Sequence, residues 1–247
     1  MLAFCFLIHD VIYAEDVWAK FFEGVDQKEY QVFVHYKTNV PLRHFEACKL
    51  TNCVATQPWS VSLVHAQNRL LAAALEHPCT THCIFLSQAC VPLKTFAQVR
   101  AALDAGLSYF NRCPDAQCFP RCDAVALPRE VIKKASQWCI LAREHAALLV
   151  NNDEYLPWFD LPGIPPDEHA YITYLHLNGK GAELVETPNL AAGATTFTNW
   201  AGMDYPYVTP AGLKHYTWIS PEELAYLRLS ASLFGRKFLP ECMPCFA

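Results

Sequence analysis

The chain is expected to fold as an α/β protein with a mostly parallel central sheet flanked by helices, and three observations carry that expectation. Short apolar or alternating runs at residues 3–9, 31–36 and 82–87 are separated by stretches of helical periodicity. That alternation suits a parallel sheet, because each crossover between parallel strands needs a connection long enough to hold a helix. No Gly/Ser-rich or charged linker and no internal repeat divides the 247 residues, so 1–247 reads as a single domain. Its 53% hydrophobic content is ample for one large core.

The elements follow in order. The run at 3–9 is the first strand, and VFVHY at 32–36 ends the second. Between them, 14–22 is amphipathic with Glu15 and Asp16 in its first turn, where acidic groups favour the helix dipole. A second helix is expected from Trp59 or Ser60 to about Glu76, then a strand at 82–87 and a helix over 92–103 stopped near Gly106. Residues 107–130 carry Pro114, Pro120 and Pro128 among scattered cysteines and read as an irregular excursion. Residues 137–149 have helical periodicity, and 151–166 are loop-rich. Pro165-Pro166 then starts a helix running to Leu177, with Asp167 as its capping residue. Residues 186–210 read as loop. A last helix spans 221–229, where Ser220 and Glu223 have capping-box spacing behind Pro221.

Net charge of −5 gives no general attraction to nucleic acid or an anionic membrane, so an anionic ligand has to meet a local cationic site. The apolar N-terminus reaches His9-Asp10 after eight residues and has no basic leader. It is too short for a membrane span and reads as a buried strand, so a soluble, cytoplasmic protein is expected. Twelve cysteines is a high count. Cys5, Cys83 and Cys139 sit in apolar runs as small buried groups, and of the close pairs Cys79/Cys83, Cys118/Cys122 and Cys242/Cys245 only the last is a CxxC. A zinc site would need two such pairs meeting in space, so free thiols are expected.

Two segments 68 residues apart carry the chemistry. Pro165-Pro166-Asp167-Glu168-His169 puts a carboxylate at a stiffened helix start. Glu168 there is either a general base for a hydroxyl or a charge that only favours the helix dipole. Leu233-Phe234-Gly235-Arg236-Lys237-Phe238 holds two cations between apolar anchors, suited to phosphate oxygens, with Lys214 a third candidate upstream. His9 and Asp10 end the first strand, where α/β sheets commonly place ligands, and a turn role is their structural alternative. There is no Asp-x-Asp to grip a divalent metal diphosphate, no HxH or HExxH, and no GxGxxG, Walker loop or GxSxG. Cations would then do the work of a metal in stabilising a departing diphosphate. Ser87 lacks the flanking glycines of a nucleophile elbow and is rejected as a nucleophile.

An ordered set of segments resembles the core-2/I-branching β-1,6-N-acetylglucosaminyltransferases, glycosyltransferase family 14, and their peptide O-xylosyltransferase relatives. The set is AFCFLIHD at 3–10, VFVHYK at 32–37, WSVSLVHA at 59–66, CIFLSQACVPLK at 83–94, ASQWCILAR at 135–143, PDEH at 166–169, TNW at 198–200 and LFGRKF at 233–238. The resemblance implies a GT-A fold and an inverting transfer from a UDP-sugar (GlcNAc or xylose) to a glycan or glycoprotein acceptor. It implies no divalent metal and no cofactor. Glu168 falls on the family's base and Lys237 on its diphosphate-binding cation, with Arg236 beside it. Lys214, 23 residues before Lys237, falls on a second such cation. His9, Asp10 and His35 join the donor side, and Trp200 and Arg143 the acceptor side. Where the family's second-strand motif often ends His-x-Asp, this chain has His35-Tyr36-Lys37. The family's animal enzymes begin with a membrane anchor and stem, whereas this chain begins at the first strand, so a soluble enzyme of microbial or viral kind is expected, or a catalytic domain cut from a longer protein. A non-catalytic carbohydrate- or nucleotide-binding protein on the same fold is the rival expectation.

Overall fold

The computed structural model describes residues 1–113, 125–187 and 195–246. Pro114, Pro120 and the pair Cys118/Cys122 therefore lie outside the described residues. The central sheet has six strands: β1 (Leu2–Ile8), β2 (Tyr30–Tyr36), β3 (His82–Ser87), β5 (Ser108–Asn111), β6 (Ile140–Ala142) and β7 (Leu184–Thr187), in the order β2-β1-β3-β6-β5-β7. β1 pairs in parallel with both β2 and β3, β5 in parallel with β7, and β6 runs antiparallel to β3 and β5. A second sheet of three short strands, β4 (Val91–Pro92), β8 (Thr196–Thr198) and β9 (Phe234–Arg236), has β9 at its centre.

Every residue of β1 is buried, which a strand with neighbours on both edges and helices on both faces requires. Its two faces feed different cores. Leu2, Phe4, Phe6 and Ile8 join an aromatic core with α1 (Glu15–Phe22), where Phe4 meets Phe22 at 4.9 Å and Phe6 meets Trp18 at 5.1 Å, both edge to face. Ala3, Cys5 and Leu7 face α2 (Ser62–Leu75), whose Ala66 and Ala74 are fully buried with them. Small residues on both sides let that helix lie close to the sheet.

The remaining helices are α3 (Phe96–Ala101), α4 (Arg143–Val150), α5 (Pro166–Leu177) and α6 (Pro221–Leu229). Several expectations are corrected here. α3 begins at Phe96, because Thr95 and Gln98 form a reciprocal capping box and Val91–Pro92 is drawn into the second sheet. Residues 137–149 do not form one helix, since Ile140–Ala142 is a strand wedged between β3 and β5. Ser108–Asn111 and Thr196–Thr198, read as irregular chain and loop, are buried strands. Each has at most four residues, too few for periodicity to register. Ser220 does cap α6 through the Glu223 N–H at 3.0 Å, but the Glu223 side chain is engaged elsewhere and does not return to close the box.

Ser108, His145 and Glu183 line up like a hydrolase triad, with Ser108 Oγ 2.7 Å from His145 Nδ1 and His145 Nε2 3.0 Å from Glu183. Ser108 and His145 are fully buried and the hydroxyl also accepts the Ala142 N–H, so the trio ties β5 and β6 to α4 and meets no substrate.

Among the described residues Cys5, Cys48, Cys53, Cys79, Cys83, Cys90, Cys139, Cys242 and Cys245 are free thiols, and no helix is long and apolar enough to cross a membrane. Trp18 is fully buried and its indole N–H donates to the Cys90 carbonyl at 3.0 Å, joining α1 to the chain entering β4. Trp18→Ala is expected to lower unfolding stability by about 3–5 kcal/mol through lost burial and a cavity, read from urea denaturation.

Candidate active site

The C-terminal ends of β1 and β3 open into a cleft of about 340 Å³. Its walls include Ile8 and His9 after β1, Lys37 after β2, Ser87 and Gln88 after β3, Gln137 and Trp138, and Arg236 and Lys237 at the end of β9. Larger cavities occur elsewhere, including one of about 650 Å³ beneath α6. Its walls are mainly apolar, with Arg228 as the charged group, so it offers no acid or base for chemistry.

β9 delivers the cations. It runs antiparallel to β4, with Val91 opposite Gly235, and parallel to β8, with Thr198 opposite Arg236. Phe234 and Phe238, both fully buried, anchor the segment on either side, and the Phe238 N–H donates to Ala89 just after β3. Gly235 is required by close approach: a Cβ there would stand 3.1 Å from the Phe238 ring and 3.3 Å from Leu93. The guanidinium of Arg236 lies over the Trp138 ring at 4.8 Å, a cation–π contact, while its Nε is buried without a hydrogen-bond partner. Burial pulls the Arg236 pKa down, opposed by the nearby Cys90 and Glu168. Burial and then the charge of Arg236 pull Lys237 down as well. Two adjacent cations share this wall, and among the described residues neither has a carboxylate partner and no carboxylate lines the cleft. An anion entering here would relieve both the desolvation and the mutual repulsion.

Glu168 lies at the start of α5, near enough for its charge to act on Arg236. Lys134 Nζ is 3.3 Å from its Oε2. Asp167 does not cap the helix, because it follows Pro166 at the second helical position and no side chain caps this terminus. Burial, reinforced by the charge of Glu168, pushes the Asp167 carboxyl up to about 7. His9 opens onto the cleft, and its backbone N–H is fixed by Gln88 Oε1 at 2.7 Å. Asp10 serves the turn, accepting the Val11 N–H at 2.7 Å, and is not among the cleft walls. Trp200 is 42% exposed, two residues beyond Thr198, the register partner of Arg236. Since β8 and β9 run parallel, Trp200 leaves the second sheet at the same end as Lys237.

Three of the sequence candidates lie outside the cleft walls, with their polar atoms engaged in the fold. His35 is completely buried outside the cleft walls, its Nε2 accepts the Val54 N–H at 2.9 Å, and burial lowers its pKa to about 4. It is a neutral structural group. Lys214 pairs with buried Glu223 at 3.2 Å and lies over the Tyr216 ring at 4.3 Å. Glu223 also accepts from Tyr216 and Tyr205 at 2.6 and 3.1 Å, so Lys214 is the counter-ion of a buried carboxylate. Arg143 donates to the Leu75 and His77 carbonyls at 3.1 and 2.9 Å, closing the C-terminal end of α2. It follows Ala142, which pairs with His82 at the start of β3, and therefore sits at the opposite end of the strands from the cleft.

The sequence reading missed Lys37, Gln88 and Lys134. Lys37 was visible as a departure from the family motif. Gln88 follows a predicted strand end, the position that singled out His9 and Asp10. Lys134 sits in a stretch without periodicity and left no signal. Among the described residues no group of three or more His, Cys, Asp or Glu gathers around a point where a metal ion would fit.

Asp167 holds its proton more tightly in the folded protein, so stability falls as pH rises from about 4 toward about 7, where the unfolded chain ionises first. Asp167→Asn, neutral at every pH, is expected to gain on the wild type between pH 4 and pH 8, by at most about 4 kcal/mol. Urea unfolding at both pH values reads this, and parallel pH dependence in the two proteins would remove Asp167 as the titrating group.

The sequence profile described as Core-2/I-Branching enzyme matches residues 2–225. Glycosyltransferase BC10 of Oryza sativa subsp. japonica is 30% identical over 169 residues, which are 64% of this chain and 42% of that protein. The chain thus spans less than half the length of this curated relative. Solved structures overlap loosely. An active-site mutant of LgtC gives a TM-score of 0.41 at 11% identity, covering 91% of this chain and 94% of that one. A glycosyltransferase involved in glycosylation of the major capsid of PBCV-1 gives 0.44 at 9% identity, covering 96% and 93%. The assignment rests on the sequence match: with residues 2–225 covered, the chain belongs to the Core-2/I-Branching enzyme family.

Proposed function

We propose that this protein is an inverting, metal-independent glycosyltransferase of GT-A type that moves a sugar from a UDP-sugar to a hydroxyl of a glycan or glycoprotein. GlcNAc and xylose are the donor sugars to test first. The observation that carries the reading is the Arg236–Lys237 wall, without a carboxylate partner among the described residues, near enough to the Glu168 helix start for the charges to interact. Such a wall suits a dianionic leaving group, and in this reading Glu168 is the base.

In this reading the diphosphate lies against Lys237 and Arg236. Glu168 accepts the proton of the acceptor hydroxyl as that oxygen bonds to the anomeric carbon. The bond from the anomeric carbon to the phosphate oxygen breaks on the opposite face, and its electron pair leaves with UDP. The two cations stabilise that growing charge, the task a divalent ion performs in metal-dependent enzymes. Trp200 offers an exposed ring for the apolar face of an acceptor sugar. Lys37, a donor without acceptor capacity, takes the place of the family's carboxylate beside the nucleotide.

Purified protein incubated with a panel of UDP-sugars and glycan acceptors, with and without EDTA, is expected to release UDP from one donor in both conditions. Release abolished by EDTA would overturn the metal-free mechanism, and no release together with no UDP-induced rise in Tm would favour the non-catalytic reading. Glu168→Gln is expected to keep UDP binding and lose transfer by at least about 100-fold. Lys237→Ala is expected to weaken UDP binding by about tenfold or more, and unchanged affinity would count against the cation wall.

A further inference from the structure

Residues 133–136 form no helix or strand, yet they are pinned on two sides. The Lys133 N–H donates to Thr173 Oγ1 at 3.0 Å, and the Thr173 hydroxyl donates back to the Lys133 carbonyl at 3.2 Å. The Ala135 N–H donates to the Glu168 carbonyl at 2.8 Å. On the other side, the Lys134 carbonyl accepts from Cys113 and the Ser136 N–H donates to Asn111, each at 2.9 Å. The backbone of Lys134 is therefore bound to α5, the helix that carries Glu168, and to the end of β5.

Its side chain is only 12% exposed, and Nζ reaches Glu168 Oε2 at 3.3 Å. An ion pair between two mobile surface side chains contributes little, because ordering both consumes the Coulomb gain. Here the backbone under the lysine is already fixed, and its partial burial costs desolvation that the carboxylate offsets. Glu168 Oε1 has no hydrogen-bond partner among the described residues, so one oxygen is held and the other is left open. Among the described residues, Arg236 on the cleft wall and Asp167 beside it on α5 also carry charge that acts near this carboxylate. Neither makes an ion pair with it.

We propose that Lys134 is the positioning residue for the transfer, holding the Glu168 carboxylate by one oxygen so that the other faces the acceptor hydroxyl. This rests on the assignment of Glu168 as base. The acceptor proton passes to Glu168, while Lys134 keeps its own proton throughout and acts only through the carboxylate it aims.

The test compares Lys134→Met, which keeps the stem and loses the charge, with Lys134→Arg, Glu168→Gln and the Lys134→Met/Glu168→Gln double variant. Lys134→Met is expected to lower kcat about 30-fold or more with UDP affinity within twofold of wild type. Lys134→Arg should retain at least about a third of kcat, and Lys134→Met should cost nothing further in the Glu168→Gln background. The proposal is overturned if Lys134→Met keeps kcat within threefold, if kcat and UDP affinity fall together, or if a folded Lys134→Arg is as slow as Lys134→Met. A second readout needs no donor: a double-mutant cycle on urea unfolding should show at least threefold coupling between the two positions in the unfolding constant, and no coupling would sink the pair. Failure of the base assignment would look different, since Glu168→Gln would then turn over at the wild-type rate.

Discussion

β9 bonds along one edge to β4 and along the other to β8, and the functional face depends on that placement. The three residues come from near the C-terminus, while β4 follows directly on the third strand of the central sheet. Pairing Val91 with Gly235 carries Arg236 and Lys237 across the molecule to the mouth formed by β1 and β3. Buried aromatics on both sides make the placement rigid, because neither Phe234 nor Phe238 can leave without opening the core. A side chain at position 235 would press on Phe238 and Leu93, so those neighbours would have to shift by a few tenths of an ångström to admit one.

The charge pattern around the cleft follows from which groups find partners. Lys214 is neutralised by Glu223, Arg143 by helix-end carbonyls, and Lys134 faces Glu168. Arg236 and Lys237 face the cleft and each other, with no carboxylate among the described residues to answer them. A half-buried cation pair of this kind is costly in the empty protein, and an anionic ligand would recover the cost. The carboxylates divide in a similar way: Asp167 is desolvated and pushed up to about 7, while its neighbour Glu168 meets an ammonium.

Hydrophobic periodicity was enough to find the parallel half of the sheet and most of its helices. β1, β2 and β3 each have six or seven residues, long enough for an apolar run to stand out. The helix at Pro166 and the one at Pro221 announced themselves by proline at the first helical position, and Ser220 by its cap. The short strands were not legible. Ile140–Ala142 continues the apolar pattern of the helix that follows it, and nothing local distinguishes a three-residue strand from a helix's first turn. The internal partners of His35, Lys214 and Arg143 were not legible for a related reason: a residue's presence in a motif does not say whether its polar atoms turn outward or are engaged within the fold.

By itself the sequence determined the α/β alternation, the paired cations between aromatic anchors and the carboxylate after two prolines. These are properties of neighbouring residues, set by backbone stiffness, side-chain period and local charge. Only the tertiary structure decided that the two cations reach the mouth at β1 and β3, that Lys214 belongs to Glu223, and that Lys134 reaches Glu168. Those outcomes depend on strand pairing and backbone hydrogen bonds between segments distant in the chain, and on competition among polar groups for a limited set of buried partners. No local pattern encodes such a competition, because it is settled by the packing of the whole chain.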